Sequence, residues 1–168
     1  MNILWFDIES TDLPVYMAKI LTISFLFKEK QITLYINPET PIKLEASRVN
    51  GIYDKDVVNW KPFREYAPQI FKLLNECDAY GTYNGRNFDI PLLYIEMLRC
   101  GYTMPNKPII DVYEQVQSLF KSLKLKDIYR TLLNKNLEAH ISINDIIATR
   151  ELYEYILDNY LKIEKNDF

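Results

Sequence analysis

The chain has 168 residues, 48% hydrophobic and 26% charged, with a net charge of −3. That length and apolar content supply one full hydrophobic core, and a chain with four glycines and eight scattered prolines is not a disordered one. The acidic balance excludes a global basic field pulling the chain onto duplex nucleic acid, but not an enzyme whose metal ions supply positive charge locally.

The segments follow in order. Residues 2–8 read as a strand buried on both faces, on the apolar run Ile3-Leu4-Trp5-Phe6. Residues 20–28 and 31–36 read as two more strands, joined through Lys28-Glu29-Lys30 as an antiparallel hairpin. Asn37-Pro38-Glu39-Thr40-Pro41 ends this meander. A short helix from Leu44 to Val49 is stopped by Asn50-Gly51, and Asp54 is placed to cap a further turn.

Phe63, Tyr66, Ala67, Ile70, Leu73 and Leu74 give residues 62–76 helical periodicity, with a kink or a start near Pro68. Ala79 to Tyr83 is a fourth strand, and Asn84-Gly85-Arg86-Asn87 a turn. A helix follows from about Phe88 to Arg99, with Gly101 past its end. Pro108 to Val112 is a short fifth strand. Helical spacing returns at Leu125–Leu133 and in a last helix from Ser142 to Tyr160.

Three antiparallel strands followed by alternating helices and strands predict a mixed α/β sheet flanked by helices. There is no internal repeat, low-complexity tract or linker, so residues 1–168 are expected to form a single domain. Its Lys162-to-Phe168 tail is expected to fray. The N-terminus lacks the basic flank of a signal peptide, and no apolar run approaches membrane-spanning length. Cys77 and Cys100 lack metal-ligand spacing and read as reduced core thiols. A cytoplasmic protein with no membrane partner is expected.

Asp7 and Glu9 stand two apart at the end of the first strand. Side chains at i and i+2 of a strand point the same way, so both carboxylates face one spot. Charges there are costly unless paired, and two oxygen donors suit Mg²⁺ or Mn²⁺. A polar turn after an edge strand is the plainer alternative. Asp89 stands where a loop becomes a helix, and a first-turn charge complementing the helix dipole would explain it equally. Asp145 sits in the first turn of the last helix, where Ser142-Ile143-Asn144-Asp145 also fits a capping box. His140, the only histidine, can approach Asp145 if it lies in the loop before that helix.

Taken in order, Phe6-Asp7-Ile8-Glu9-Ser10-Thr11-Asp12-Leu13, then Tyr83-Asn84-Gly85-Arg86-Asn87-Phe88-Asp89, then His140-Ile141-Ser142-Ile143-Asn144-Asp145 resemble the three motifs of the DEDDh 3′–5′ exonucleases. That family belongs to the RNase H-like superfamily and includes the proofreading epsilon subunit of bacterial DNA polymerase. Asn37-Pro38-Glu39 and Val49-Asn50-Gly51-Ile52 look like its connecting segments, so the likeness spans about residues 1–155. There are departures. Asp12 stands where the family usually has Gly, and Ser142 where Ala is common. The middle motif looks more like the exonuclease segment of family-B DNA polymerases, yet the tyrosine of their third motif is missing here.

The resemblance implies an RNase H-like sheet of five strands. It implies metal-dependent 3′–5′ hydrolysis releasing nucleoside 5′-monophosphates from the 3′ end of single-stranded nucleic acid, DNA rather than RNA, with repair or proofreading as the setting. Asp7, Glu9, Asp89 and Asp145 would hold two Mg²⁺ or Mn²⁺ ions, and His140 would take a proton from the attacking water. Ser10 and Thr11 would recognise the terminal 3′-hydroxyl and Leu13 would wedge against the last base; Asn84, Phe88 and Tyr83 are further substrate candidates, with a place in the core as the plainer reading of Phe88. Lys121, Lys124, Lys126 and Arg130 would either track phosphates or form a solvated helix face. Asp111 would support the site or cap a helix. A polymerase or other replication protein is a candidate partner. The alternatives are an exoribonuclease of the same family and a non-catalytic nucleic-acid-binding or polymerase-accessory subunit.

Overall fold

The computed structural model describes residues 1–120, 123–138 and 141–166, with side-chain surroundings given as far as Asn159. The chain opens with β1 (Ile3–Ser10), β2 (Ile20–Phe27) and β3 (Lys30–Asn37), followed by α1 (Leu44–Asn50), α2 (Asp54–Val57) and β4 (Lys61–Pro62). Then come α3 (Phe63–Glu76), β5 (Ala79–Thr82), α4 (Asp89–Arg99), β6 (Ile109–Asp111), α5 (Val112–Val116), α6 (Leu125–Leu133) and α7 (Ser142–Asn166). The strands form one sheet in the order β4-β3-β2-β1-β5-β6. β1, β2 and β3 pair antiparallel, while β5 runs parallel to both β1 and β6.

The mixed sheet is the expected one, but it has six strands rather than five. Lys61–Pro62 adds a two-residue parallel strand outside β3. So short a segment has no alternation to read, and its proline is tolerated because it lies at the sheet edge. The five-residue α5 was likewise too short to carry a helical period. α3 begins at Phe63 and runs through Pro68, which costs the hydrogen bond to the Arg64 carbonyl. α7 continues past the expected end at Tyr160 to Asn166; of the tail expected to fray, Asp167 and Phe168 lie outside the described residues.

Local chemistry accounts for the punctuation. Lys28 and Glu29 both take positive φ, 48° and 64°, the two-residue turn whose twist matches its strands. Gly51 caps α1 at φ 75°, its N–H donating to the Ser47 carbonyl. Cys77 and Cys100 are free thiols. No helix among the described residues is long and apolar enough to cross a membrane.

The sheet separates two apolar layers. Leu4, Phe6 and Ile8 of β1 pack with Ile23 and Phe25 of β2 against Ile70, Leu74, Leu92 and Leu93 of α3 and α4. Trp5 points the other way, to Ile146, Ala148 and Leu152 of α7 and to Val112 and Val116 of α5. Burying both faces of β1 explains its unbroken apolar run. It also fixes where its carboxylates go: Asp7 and Glu9 share the parity of Trp5 and so face α7.

Gly81 lies beside Trp5 in the β1–β5 pairing. A Cβ at Gly81 would strike the indole ring, which is 4% exposed and has no room to retreat. Gly81→Ala should therefore lower the free energy of unfolding by about 3 kcal/mol, at the upper end for overpacking. Urea denaturation checks this, with the midpoint falling and the slope unchanged.

Candidate metal centre and active site

β1 carries two acids because its far end leaves the apolar layer. Asp7 lies opposite Ser24 of β2 and Glu9 opposite Thr22, so the α7-facing surface becomes polar over two successive pairs. The pairing then slips between Glu9 and Ser10, a bulge that turns the strand end outward. α7 is anchored on this polar patch. The Ser142 and Ser24 hydroxyls lie 2.6 Å apart, and Ser24 reaches Thr33 at 2.7 Å. One turn into α7, Asp145 meets the acids of β1: Asp7, Glu9 and Asp145 each offer a carboxylate oxygen, all within 4.8 Å of one another.

Asp89 comes from the opposite direction. β1 and β5 pair as far as Trp5 and Gly81 and then diverge. The Ile8 N–H, between the two acids of β1, is taken up by Asp89 Oδ1 at 3.0 Å. Asp89 is the first residue of α4 and is buried. Its side chain therefore completes the β1 ladder beyond the end of the β5 pairing, and it delivers a fourth carboxylate beside the 4.8 Å group rather than within it.

Burial and mutual repulsion raise these acids together. Asp7 is held well above the usual carboxylate range, first by desolvation and then by the charges of Asp89, Glu9 and Asp145. Desolvation, with Asp145 and Asp89, pushes Glu9 up to about 8. Asp89 is pushed up to about 7 by burial, against the lowering effect of the Ile8 N–H. Among the described residues no lysine or arginine pairs with Asp7, Glu9 or Asp89. Clustered, desolvated, oxygen-only donors fit a hard divalent cation, which would relieve both desolvation and repulsion.

The other expected residues separate. His140 and Lys121 lie outside the described residues. Ser10 Oγ donates to the Asp12 carbonyl at 2.8 Å. Thr11 is buried and accepts from the Lys19 N–H at 2.9 Å, so its hydroxyl serves the loop. Leu13 is 82% exposed, free to meet a ligand. Phe88 packs against the core and Tyr83 donates to the Leu123 carbonyl at 2.8 Å, which occupies both with internal contacts. Asn84 holds φ 56° in the turn before α4. Lys124, Lys126 and Arg130 are exposed on α6.

Asn50 was not singled out by the sequence. Its Nδ2 donates to the Ser10 carbonyl at 3.2 Å and its Oδ1 accepts from Ile52 at 2.9 Å. It lines both clefts that meet at Glu9. The larger, about 540 Å³, is bounded by Ser10, Asp12, Leu13, Pro14, Lys43 and Val49; the smaller, about 170 Å³, by Thr22, Thr33, Tyr35 and Ser142. An asparagine ending a helix before glycine is ordinary stop chemistry, so no local signal marked it.

The family model described as Exonuclease (RNase_T) matches residues 4–153. The 3′–5′ exonuclease DinG of Bacillus subtilis (strain 168) is 27% identical over 161 residues, covering 90% of this chain and 17% of that protein. This chain thus spans about one sixth of that relative's length. Among solved structures, the zinc-bound E. coli ExoI–ssDNA complex superimposes with a TM-score of 0.87 at 13% identity, over 98% of this chain and 42% of that one. The moderately thermophilic Exonuclease I of Methylocaldum szegediense gives 0.80 at 15% identity, over 94% and 40%.

Carboxyls raised by folding contribute stability that is fully present below their unfolded values, about 4, and lost as pH rises through their folded values. For Asp89 and Glu9 those are about 7 and about 8. The EDTA-treated protein should therefore melt at progressively lower temperature from about pH 5 to about pH 8, and Glu9→Gln should flatten the trend. Melting followed by circular dichroism over that range is the check; a midpoint that climbs with pH contradicts the site's electrostatics.

Proposed function

The chain belongs to the exonuclease family, in its DEDDh type within the RNase H-like superfamily, and from this premise we propose that it hydrolyses single-stranded nucleic acid, DNA by preference, from the 3′ end. The observation that supports this most is the meeting of Asp7, Glu9 and Asp145 within 4.8 Å, with Asp89 bonded to the strand between the first two. Nothing in a helix-capping role requires that convergence.

Two Mg²⁺ or Mn²⁺ ions would be held by Asp7, Glu9, Asp89 and Asp145. Bound there, such ions supply charge neutralisation at the phosphodiester and acidify water. The protein's part is to fix the reacting groups. Asp89, tied to Ile8, and Asp145, carried on α7, close on β1 from opposite sides. Ser10 and the Thr11 backbone, at the bulged end of β1, would read a terminal 3′-hydroxyl together with Glu9. The cleft beyond them has an apolar side of Leu13, Pro14, Ala46 and Val49, suited to the face of a last base. Neutral His140 takes the proton of the attacking water, and the departing 3′-oxygen of the shortened strand is protonated from solvent. The products are a nucleoside 5′-monophosphate and a strand one residue shorter.

A binding-only accessory protein fits less well. Four acids gathered at one spot offer a polyanion no positive charge until a cation joins them. The similar proteins named above lend no support to a polymerase partner.

The assay is release of mononucleotide from a 3′-labelled single strand, offered as DNA and as RNA. Release is expected with Mg²⁺, absent with EDTA, and at least about 100-fold slower for Asp7→Ala, the order seen when one preorganised charge-stabilising group is removed. Retained binding without release would favour the accessory reading, and preference for the RNA strand the exoribonuclease.

His140→Ala should cost about 100-fold or more in rate, as for loss of a general base. It should also remove the part of any rise in rate with pH that deprotonation of an imidazole produces. A variant that keeps the full rate would exclude His140 as the base.

A further inference from the structure

Asp111 ends β6 as the N-cap of α5, and its carboxylate, 4% exposed, accepts the Tyr113 N–H at 3.2 Å in that role. A cap uses one oxygen and one donor. Asp111 does more. The same Oδ1 accepts the Asn84 N–H at 2.6 Å, and Oδ2 accepts the Arg86 N–H at 3.1 Å. Both partners belong to the turn between β5 and α4, more than twenty residues earlier in the chain. A buried carboxylate filled by three backbone donors from two segments fixes those segments relative to one another.

The turn so held is the one from which Asp89 hangs. Asn84 takes the left-handed conformation, φ 56°, one that asparagine adopts more readily than most residues, and its N–H is turned to the Asp111 carboxylate. Next to it, the Gly85 carbonyl accepts the N–H groups of Phe88 at 3.2 Å and Ile90 at 3.0 Å, bracketing Asp89. The Gly85 Cα lies against the Asp89 carboxylate itself, since a Cβ there would come within 2.8 Å of Asp89 Oδ2 and would also strike the Thr82 hydroxyl. The other Asp89 oxygen, Oδ1, accepts the Ile8 N–H at 3.0 Å. Arg86 adds an outer brace, donating to both Glu114 oxygens at 2.5 and 3.0 Å and to the Ile109 carbonyl at 3.2 Å. That ion pair is about two-fifths exposed on each side, so screening weakens it and the buried Asp111 contacts dominate.

We propose that Asp111 is a positioning residue for the nuclease centre: its carboxylate gathers the N–H groups of Asn84 and Arg86, and the turn held in this way seats Asp89 against β1 between Asp7 and Glu9. The proposal rests on the nuclease reading for its kinetic consequence. Its structural consequence, at the Ile8 amide, stands apart from any activity.

Asp111→Ser and Asp111→Asn separate positioning from capping. Serine and asparagine are both good N-caps, so α5 keeps its Tyr113 contact and the fold survives in either. Neither supplies two charged acceptor oxygens to the turn. In the metal-free, ¹⁵N-labelled full chain, the Ile8 amide should exchange with solvent at least ~10-fold faster in both variants, together with those of Asn84 and Arg86. With Mn²⁺ and a 3′-labelled single strand, kcat should fall roughly 10- to 100-fold, the usual range for a residue that orients a metal-binding side chain, with KM within about twofold. In an Asp89→Asn background, adding Asp111→Ser should cost no further rate, because the residue it acts through is already gone.

An Ile8 amide and a kcat both unchanged in the variants, with melting alone lowered, would reduce Asp111 to a cap and overturn the proposal. So would single losses that multiply in the double variant. A wild-type chain with no nuclease activity, but with the Ile8 amide deprotected on Asp111 substitution, would refute the enzyme reading while leaving the seating of Asp89 intact.

Discussion

Carboxylates brought together away from water carry two penalties at once: each loses hydration, and each repels the others. Asp7 and Glu9 show both in their raised titration, with Asp145 and Asp89 supplying part of the repulsion, while Asp89 is raised by burial first. A chain folded for stability alone would separate them. Here three separate segments are instead secured so that they cannot move apart. The Ser24–Ser142 hydroxyl pair holds α7 down, the Ile8 N–H holds Asp89, and the Asp111 carboxylate holds the turn before α4. Each tether is a short, buried or half-buried hydrogen bond between segments distant in sequence, the kind of contact that restricts geometry more than it adds stability.

The sheet makes this arrangement possible. Where β5 diverges from β1 after Trp5 and Gly81, the ladder leaves backbone donors open in the middle of the molecule. An unmet donor there is costly, and the Asp89 side chain meets it in place of a strand. The gap between parallel strands at their carboxyl ends is the usual place for a ligand in open α/β sheets. Here the residue filling that gap is itself one of the acids of the site, so completing the sheet and building the site are a single event. The polar pairs Asp7–Ser24 and Glu9–Thr22 mark the same boundary from the β2 side.

The sequence was legible where one period carried one meaning. Alternation placed Asp7 and Glu9 on one face, and the unbroken run before them signalled a strand buried on both sides. Asp89 and Asp145 were harder, because each stands in a helix's first turn, where an acid needs no further explanation. Only their order with Asp7 and Glu9, read as a family pattern, raised them above that. β4 and α5 escaped because two and five residues carry no period. Asn50 escaped because its helix-ending position has a local reason, while its bond to the Ser10 carbonyl depends on forty residues of intervening fold. For Asp111 the sequence admits either cap or support; the carboxylate makes both sets of contacts, having acceptor sites enough for three donors.

A net charge of −3 bears on how such a site would engage a polyanion. With no net positive field to hold a strand along its length, attraction would be concentrated where cations joined the acids. That distribution favours a terminus over an internal segment. An end would enter the cleft beside Glu9 with its last base against Leu13 and Val49, whereas a continuous strand would have to hold its acidic backbone against an acidic protein on both sides of the site. On this account a preference for ends would follow from charge placement as much as from shape. It would also tie substrate binding to a cation-filled state of Asp7, Glu9, Asp89 and Asp145, because the empty cluster offers the phosphate no positive charge.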